Sequence, residues 1–185
     1  MLSLEGKRVA VTGSNSMIGR AVVHKLAERN AYIRQVPHSV YDLLKPERAI
    51  EAIYGSEYCI HCAGYNGNIA FNAKYPADIF YRTAMMGLNV LNSCKNYGIK
   101  KVVVPLASCA YPDCDLLYEW EFDKGPPNKT VEAHGLAKRI VFDYARQLYK
   151  QYQYNAVSII FNTSYGPYDS FDVDKTKVVG GLINK

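Results

Sequence analysis

Short apolar runs alternate with stretches whose apolar positions recur every three or four residues, from one end of the chain to the other. Arg8-Val-Ala-Val-Thr12 is a strand-like run, and Met17 to Arg29 then places Ile18, Ala21, Val22, Val23 and Leu26 on one helical side. Ala31 to Val36, Glu57 to Ala63, Lys101 to Ser108 and Asn155 to Asn162 read as four further strands. Between them lie a short helix over Pro46 to Tyr54, opened by a proline, and two long ones over Pro76 to Tyr97 and Val131 to Gln153. A last helical pattern runs from Val178 to Lys185. Alternation of this kind predicts βαβ units and a parallel sheet: an α/β, Rossmann-type doubly wound fold. The segment from Asp113 to Lys129, with Gly125-Pro126-Pro127, is expected to be the mobile one.

The two long helices do not keep their apolar residues to one stripe. Ile79, Phe80, Met85, Met86, Leu88, Val90, Leu91 and Cys94 go nearly all round the first. Leu136, Ile140, Val141, Phe142, Tyr144, Ala145, Leu148 and Tyr149 do the same on the second. Such a helix has a second face to bury. Two explanations stand: a homodimer through helices 76–97 and 131–153, or a deep core and a covering loop within one chain.

Thr12-Gly13-Ser-Asn-Ser16-Met-Ile-Gly19 falls between the first strand and the first helix. In that setting glycines at the first and last positions allow a tight turn and close helix–strand contact, and the helix N-terminus offers free N–H groups to a pyrophosphate. Gly13, Asn15, Ser16, Met17, Ile18 and Gly19 are therefore candidates for cofactor binding, joined by His61, Ala63 and Gly64 at the end of the third strand. The middle position carries Ser16 where glycine would let the backbone touch the phosphates. No Asp or Glu follows about 20 residues later to hold an adenosine ribose; the second strand ends Arg34-Gln-Val-Pro-His38, which offers Arg34 or His38 to a 2′-phosphate. A working dinucleotide site (NADP or NAD) and a vestigial loop both remain open.

The bulk numbers narrow the setting. At 185 residues the chain suits one domain able to bury about 70% of its unfolded surface, with 49% hydrophobic and 21% charged residues. No apolar run approaches the ~20 residues of a membrane span, and the first residues lack the pattern of a signal peptide. Five cysteines, three of them in or at the end of strand runs, suit reduced thiols in a cytoplasmic setting. The net charge of +5 is scattered rather than gathered into a nucleic-acid stripe. Cys59-Ile-His61-Cys62 is a poor metal knuckle, because alternate residues of a strand face opposite ways; no metal is expected.

Several segments together are more specific. Thr12-Gly13…Gly19, His61-Cys-Ala-Gly64, Asn72-Ala-Lys-Tyr-Pro-Ala-Asp-Ile-Phe-Tyr81, Ala107-Ser-Cys-Ala-Tyr-Pro112, His134-Gly-Leu-Ala-Lys138 and Asn162-Thr-Ser-Tyr-Gly-Pro-Tyr-Asp169 occur in this order. The chain resembles the extended short-chain dehydrogenase/reductases (the NAD-dependent epimerase/dehydratases), in particular their GDP-L-fucose synthase branch, over nearly all its length. The resemblance implies a nucleotide-sugar ligand and an NADPH-dependent reduction coupled to two epimerisations of GDP-4-keto-6-deoxymannose. It also implies a dinucleotide domain over residues 1–165, the start of a substrate region over 166–185, and a substrate lobe largely missing.

Position by position, the family's catalytic set is kept only in part. Its serine falls at Ala107, its tyrosine at His134 and its epimerisation histidine at Lys177, while Cys109 and Lys138 match. Lys138 is implied to hold the nicotinamide ribose. An imidazole titrates near 6.5, and a neighbouring ammonium disfavours its charged form further. At neutral pH His134 would be mostly uncharged and a weak acid toward an alkoxide. Losing one hydrogen-bond donor to such an oxygen commonly costs ~10²–10³ in rate. Cys109 is also readable as a small buried apolar residue, and Lys138 as a solvated charge. Three functions follow: an impaired or noncatalytic relative that binds a nucleotide or a protein partner, an active NADP-dependent oxidoreductase or epimerase using His134 and Lys138 with another chain completing the cleft, or a purely structural role.

Overall fold

The computed structural model describes residues 3–172 and 175–183. Within them β1 (Arg8–Thr12), β2 (Tyr32–Val36), β3 (Tyr58–His61), β4 (Lys101–Ala107) and β5 (Ala156–Phe161) form one sheet. Its order is β2-β1-β3-β4-β5, and every neighbouring pair is parallel. The helices are α1 (Met17–Ala27), α2 (Pro46–Ile53), α3 (Ile69–Lys74), α4 (Pro76–Asn96), α5 (Glu132–Tyr152) and α6 (Val178–Ile183). The expected elements are present with ends shifted by about two residues, save that residues 184 and 185 of the last helix lie outside the described residues.

The strand order dictates the layers. β2 lies to one side of β1, while β3, β4 and β5 follow on the other, so right-handed crossovers put α1 on one face and α2, α4 and α5 on the opposite one. Accordingly Ala52 of α2, Leu91 of α4 and Val141 of α5 share a core with Cys59, Val102 and Val104. Leu26 of α1, with Val22 and Val23 beside it, packs on Val9 and Val11. The direction reverses between β1 and β3, whose ends lie in register at Thr12 and His61. Ligands of open α/β sheets sit at the carboxyl ends of the strands beside such a reversal.

Two features differ from expectation. The short helix α3 was not legible as one; Asn68 opens it by accepting the N–H of Phe71 at 2.9 Å. The segment expected to be mobile is held at Phe122 and Gly125, while residues 113–120 stay exposed. Phe122 is buried and meets Tyr111 and Phe142 edge to face, each at 5.2 Å between ring centroids. Arg139 of α5 also donates to the carbonyls of Ala110 and Gly125. An aromatic anchor of that size outweighs the loop-forming prolines around it.

The all-round apolar pattern of the two long helices is met largely inside the chain. α4 lies between α2 and α5 and packs against both, and Phe122 lies over Phe142 of α5. Tyr81, Leu136 and Ile140 nevertheless stay exposed on their outer surface.

Candidate active site

The chain leaves β1 through Gly13, whose φ of +62° is left-handed and whose place a side chain could not take, since a Cβ there would lie 2.7 Å from the backbone of Ala63. A Cβ on Gly19 would collide with the carbonyl of Gly13. Ser16 caps α1, its Oγ accepting the N–H of Gly19 at 3.1 Å; the hydroxyl proton remains to be donated outward. The middle serine thus closes the helix end while keeping a donor. Ser14 Oγ is buried beside it and has no hydrogen-bond partner among the described residues. Tight glycine turns, a helix N-terminus and an orphaned hydroxyl suit the phosphates of a dinucleotide.

Asn15, Ser16, Met17 and Ile18 line a cleft of about 660 Å³ with His61 and Gly64, a size suited to a nucleotide-type ligand. Gly13, Val36, His38 and Leu43 line a recess that adjoins it. Ala63 borders both. His38 stays available to a 2′-phosphate, being exposed and on the lining of both hollows. Arg34 is not free: it donates to the carbonyls of Ala52 and Glu51 and to the Tyr41 hydroxyl, and so ties β2 to the end of α2.

His61 is buried, with Nδ1 at 2.7 Å from Thr12 Oγ1. Burial, reinforced by the Lys138 ammonium, pushes its pKa down to about 3, so it is a neutral ring. Cys59 and Cys62 fall on opposite faces of the sheet, one against α4 and α5 and one against α1, so they do not converge.

The far wall carries the catalytic candidates. Ala107, His134, Lys138 and Lys177 all line the cleft. Cys109 does not head an apolar cluster; its Sγ lies 3.3 Å from His134 Nδ1, and burial pushes its thiol pKa up. His134 opens α5 and is driven down to about 3 by burial, then by the Lys138 and Lys177 charges. Lys138, one turn on, is buried rather than solvated; its ammonium donates to the Pro105 carbonyl at 2.8 Å, and burial lowers its pKa to about 8. Next to Ala107 a hydroxyl is present at Ser108, but it bonds Asn162 Oδ1 at 3.2 Å. Asn66, which the sequence reading passed over, brings Nδ2 to 3.5 Å from His134 Nδ1.

A family model for the NAD dependent epimerase/dehydratase family matches residues 9–185. The chain belongs to that family. A GDP-L-fucose synthase of Sinorhizobium fredii is 30% identical over 189 residues, covering 100% of this chain and 60% of the relative. Among solved structures, a GDP-6-OMe-4-keto-L-xylo-heptose reductase from C. jejuni superposes with TM-score 0.92 at 22% identity, covering 100% of this chain and 54% of that one. A GDP-L-fucose synthetase from Naegleria fowleri bound to NADP gives 0.83 at 24% identity, covering 100% and 62%. At those identities the structures establish the shared fold. The chain spans about 60% of the length of the relatives it matches.

Proposed function

We propose that this chain binds a nicotinamide dinucleotide along the β1–α1 loop and a nucleotide sugar in the adjoining cleft, with its ketone-reducing chemistry impaired. The observation that carries the reading is the far wall: the binding half of the cleft is built, while Ala107 and a neutral His134 stand where the family has its proton-donating pair. NADP is favoured over NAD because β2 ends without a carboxylate for the adenosine ribose and His38 faces the recess. The solved relative bound to NADP supports this choice. When bound, the dinucleotide supplies hydride transfer; proton supply and positioning fall to this chain's own side chains. Lys138 holds the ribose side of the cofactor, and Tyr168, Asp169, Ser170 and Lys177 begin the substrate wall. A homodimer through the outer surfaces of α4 and α5 accompanies this reading, supported by exposed Tyr81, Leu136 and Ile140.

Calorimetric titration with NADPH and NADH, followed by assay with GDP-4-keto-6-deoxymannose, tests it. NADPH is expected to bind, and reduction to run at least ~10²-fold below the rate of a complete catalytic set. No heat at millimolar dinucleotide would remove the binding half. Reduction at a full rate that is lost in Lys138→Ala would remove the impairment.

A further inference from the structure

Hydrogen bonds that start far from His134 decide which of its ring nitrogens carries the proton. The network begins at Asn72. Its Nδ2 faces the carbonyls of Gly67 at 3.1 Å and Asn68 at 2.9 Å, so that atom has to be the amide nitrogen. The same Nδ2 faces Asn66 at 2.8 Å, which makes the Asn66 atom its oxygen. Asn66 then turns its own NH₂ toward His134 Nδ1 at 3.5 Å. An amide N–H can only donate, so Nδ1 accepts. Cys109 approaches the same nitrogen at 3.3 Å; with Nδ1 fixed as an acceptor by Asn66, the thiol is the donor of that contact. Turning the Asn72 amide over would set its oxygen against those three acceptors, so the amide is held in this orientation.

We propose that Asn72, Asn66 and the Cys109 thiol together hold His134 as the neutral Nε2–H tautomer, which presents an N–H donor to an oxygen acceptor of the ligand in the cleft. Among the described residues Nε2 meets no hydrogen-bond partner, and the ring lines the cleft. The inference rests on the binding reading above and deepens it: the position favours a carbonyl-bearing sugar over one bearing a group that needs an acceptor there. Asn66 and Asn72 are positioning residues, acting through the imidazole. The charged groups nearest the ring, Lys138 and Lys177, both oppose its protonation, so the donor stays neutral across the physiological range. A neutral imidazole can hydrogen-bond a carbonyl oxygen without giving up its proton, so the group orients the sugar without replacing the missing acid.

Nitrogen-15 NMR of histidine-labelled protein reads the tautomer directly, with His134→Gln assigning the signal. The expected result is Nε2–H with Nδ1 unprotonated between pH 5 and 8. A Nδ1–H tautomer or an imidazolium would overturn the proposal. Asn66 is exposed, so Asn66→Asp is expected to fold; its carboxylate can only accept, and the neutral tautomer should move to Nδ1–H. An unchanged tautomer would remove Asn66 from the account. Titration with GDP-4-keto-6-deoxymannose and with GDP-mannose then tests the consequence. Asn66→Asp is expected to weaken the keto sugar about five- to tenfold, the worth of one hydrogen bond, and to spare the alcohol and NADPH. Equal affinities despite a moved tautomer would overturn the ligand preference. Failure of both sugars to bind the unsubstituted protein, with the tautomer as expected, would strike the binding reading alone.

Discussion

At the scale of single residues, two neutral histidines flank one buried lysine. His61 and His134 both have pKa values near 3, against about 6.5 in an unfolded chain. Their folded-state pKa lies below the unfolded one, so the unfolded chain binds more protons between those limits. The stability they hold is complete above pH 6.5 and is lost as the pH falls toward 3. Lys138 behaves in the same sense in a different window: its lowered pKa of about 8 means that stability rises as the pH climbs from 8 toward 10.5. Thermal unfolding followed from pH 7.5 to 4 should show a midpoint that drops steadily below 6.5. A His61→Gln, His134→Gln double variant should show a shallower drop, and an equal slope would place the acid sensitivity elsewhere. The sequence pointed to His134, Cys109 and Lys138 by position, but not to the Asn72–Asn66–His134 network. Those contacts join a loop to a helix 68 residues away in the chain, and no local spacing records such a meeting. For the same reason the sequence leaves Lys138 open to a solvated place, whereas the fold buries it against the Pro105 carbonyl.

At the scale of elements, the strands and long helices were legible because each carries its own period, whereas α3 and the Phe122 segment owe their form to capping and one aromatic anchor. The meeting of α4 and α5 shows what period alone leaves out. Apolar residues all round a helix announce a second buried face without saying whose; here much of that face belongs to the neighbouring helix. Gly87 of α4 sits under Val141 of α5, and a Cβ on Gly87 would collide with the valine's methyl groups. Alanine is the better helix former by about 1 kcal/mol. Overpacking of this kind costs ~1–3 kcal/mol and should win, because Val141 is buried and has little room to retreat. Gly87→Ala is therefore expected to lower the urea midpoint with an unchanged slope, and Gly87→Ala with Val141→Ala to recover part of the gain in helix propensity. A stabilised single variant would mean that the two helices can move apart at little cost.

For the molecule as a whole, the sheet is unevenly covered. Parallel sheets are ordinarily packed on both faces. Here α2, α4 and α5 share one face, while α1 on the other covers β1 and its neighbours, and among the described residues nothing covers the outward residues of β5. Val157 and Ile159 are 38% and 42% exposed in consequence. Two apolar surfaces thus compete to be the place where copies of the chain meet: this open sheet face, and the α4–α5 surface with Leu136 and Ile140. The proposed homodimer uses the helical surface. It is formed by two long elements braced against each other and the sheet, whereas the open face ends at an edge strand. Light scattering should accordingly give a dimer that falls to a monomer on Leu136→Glu with Ile140→Glu. Ile159→Lys should leave the dimer intact while reducing the binding of a dye specific for exposed apolar surface. A monomer from the outset, or dissociation by Ile159→Lys, would transfer the association from the helices to the sheet.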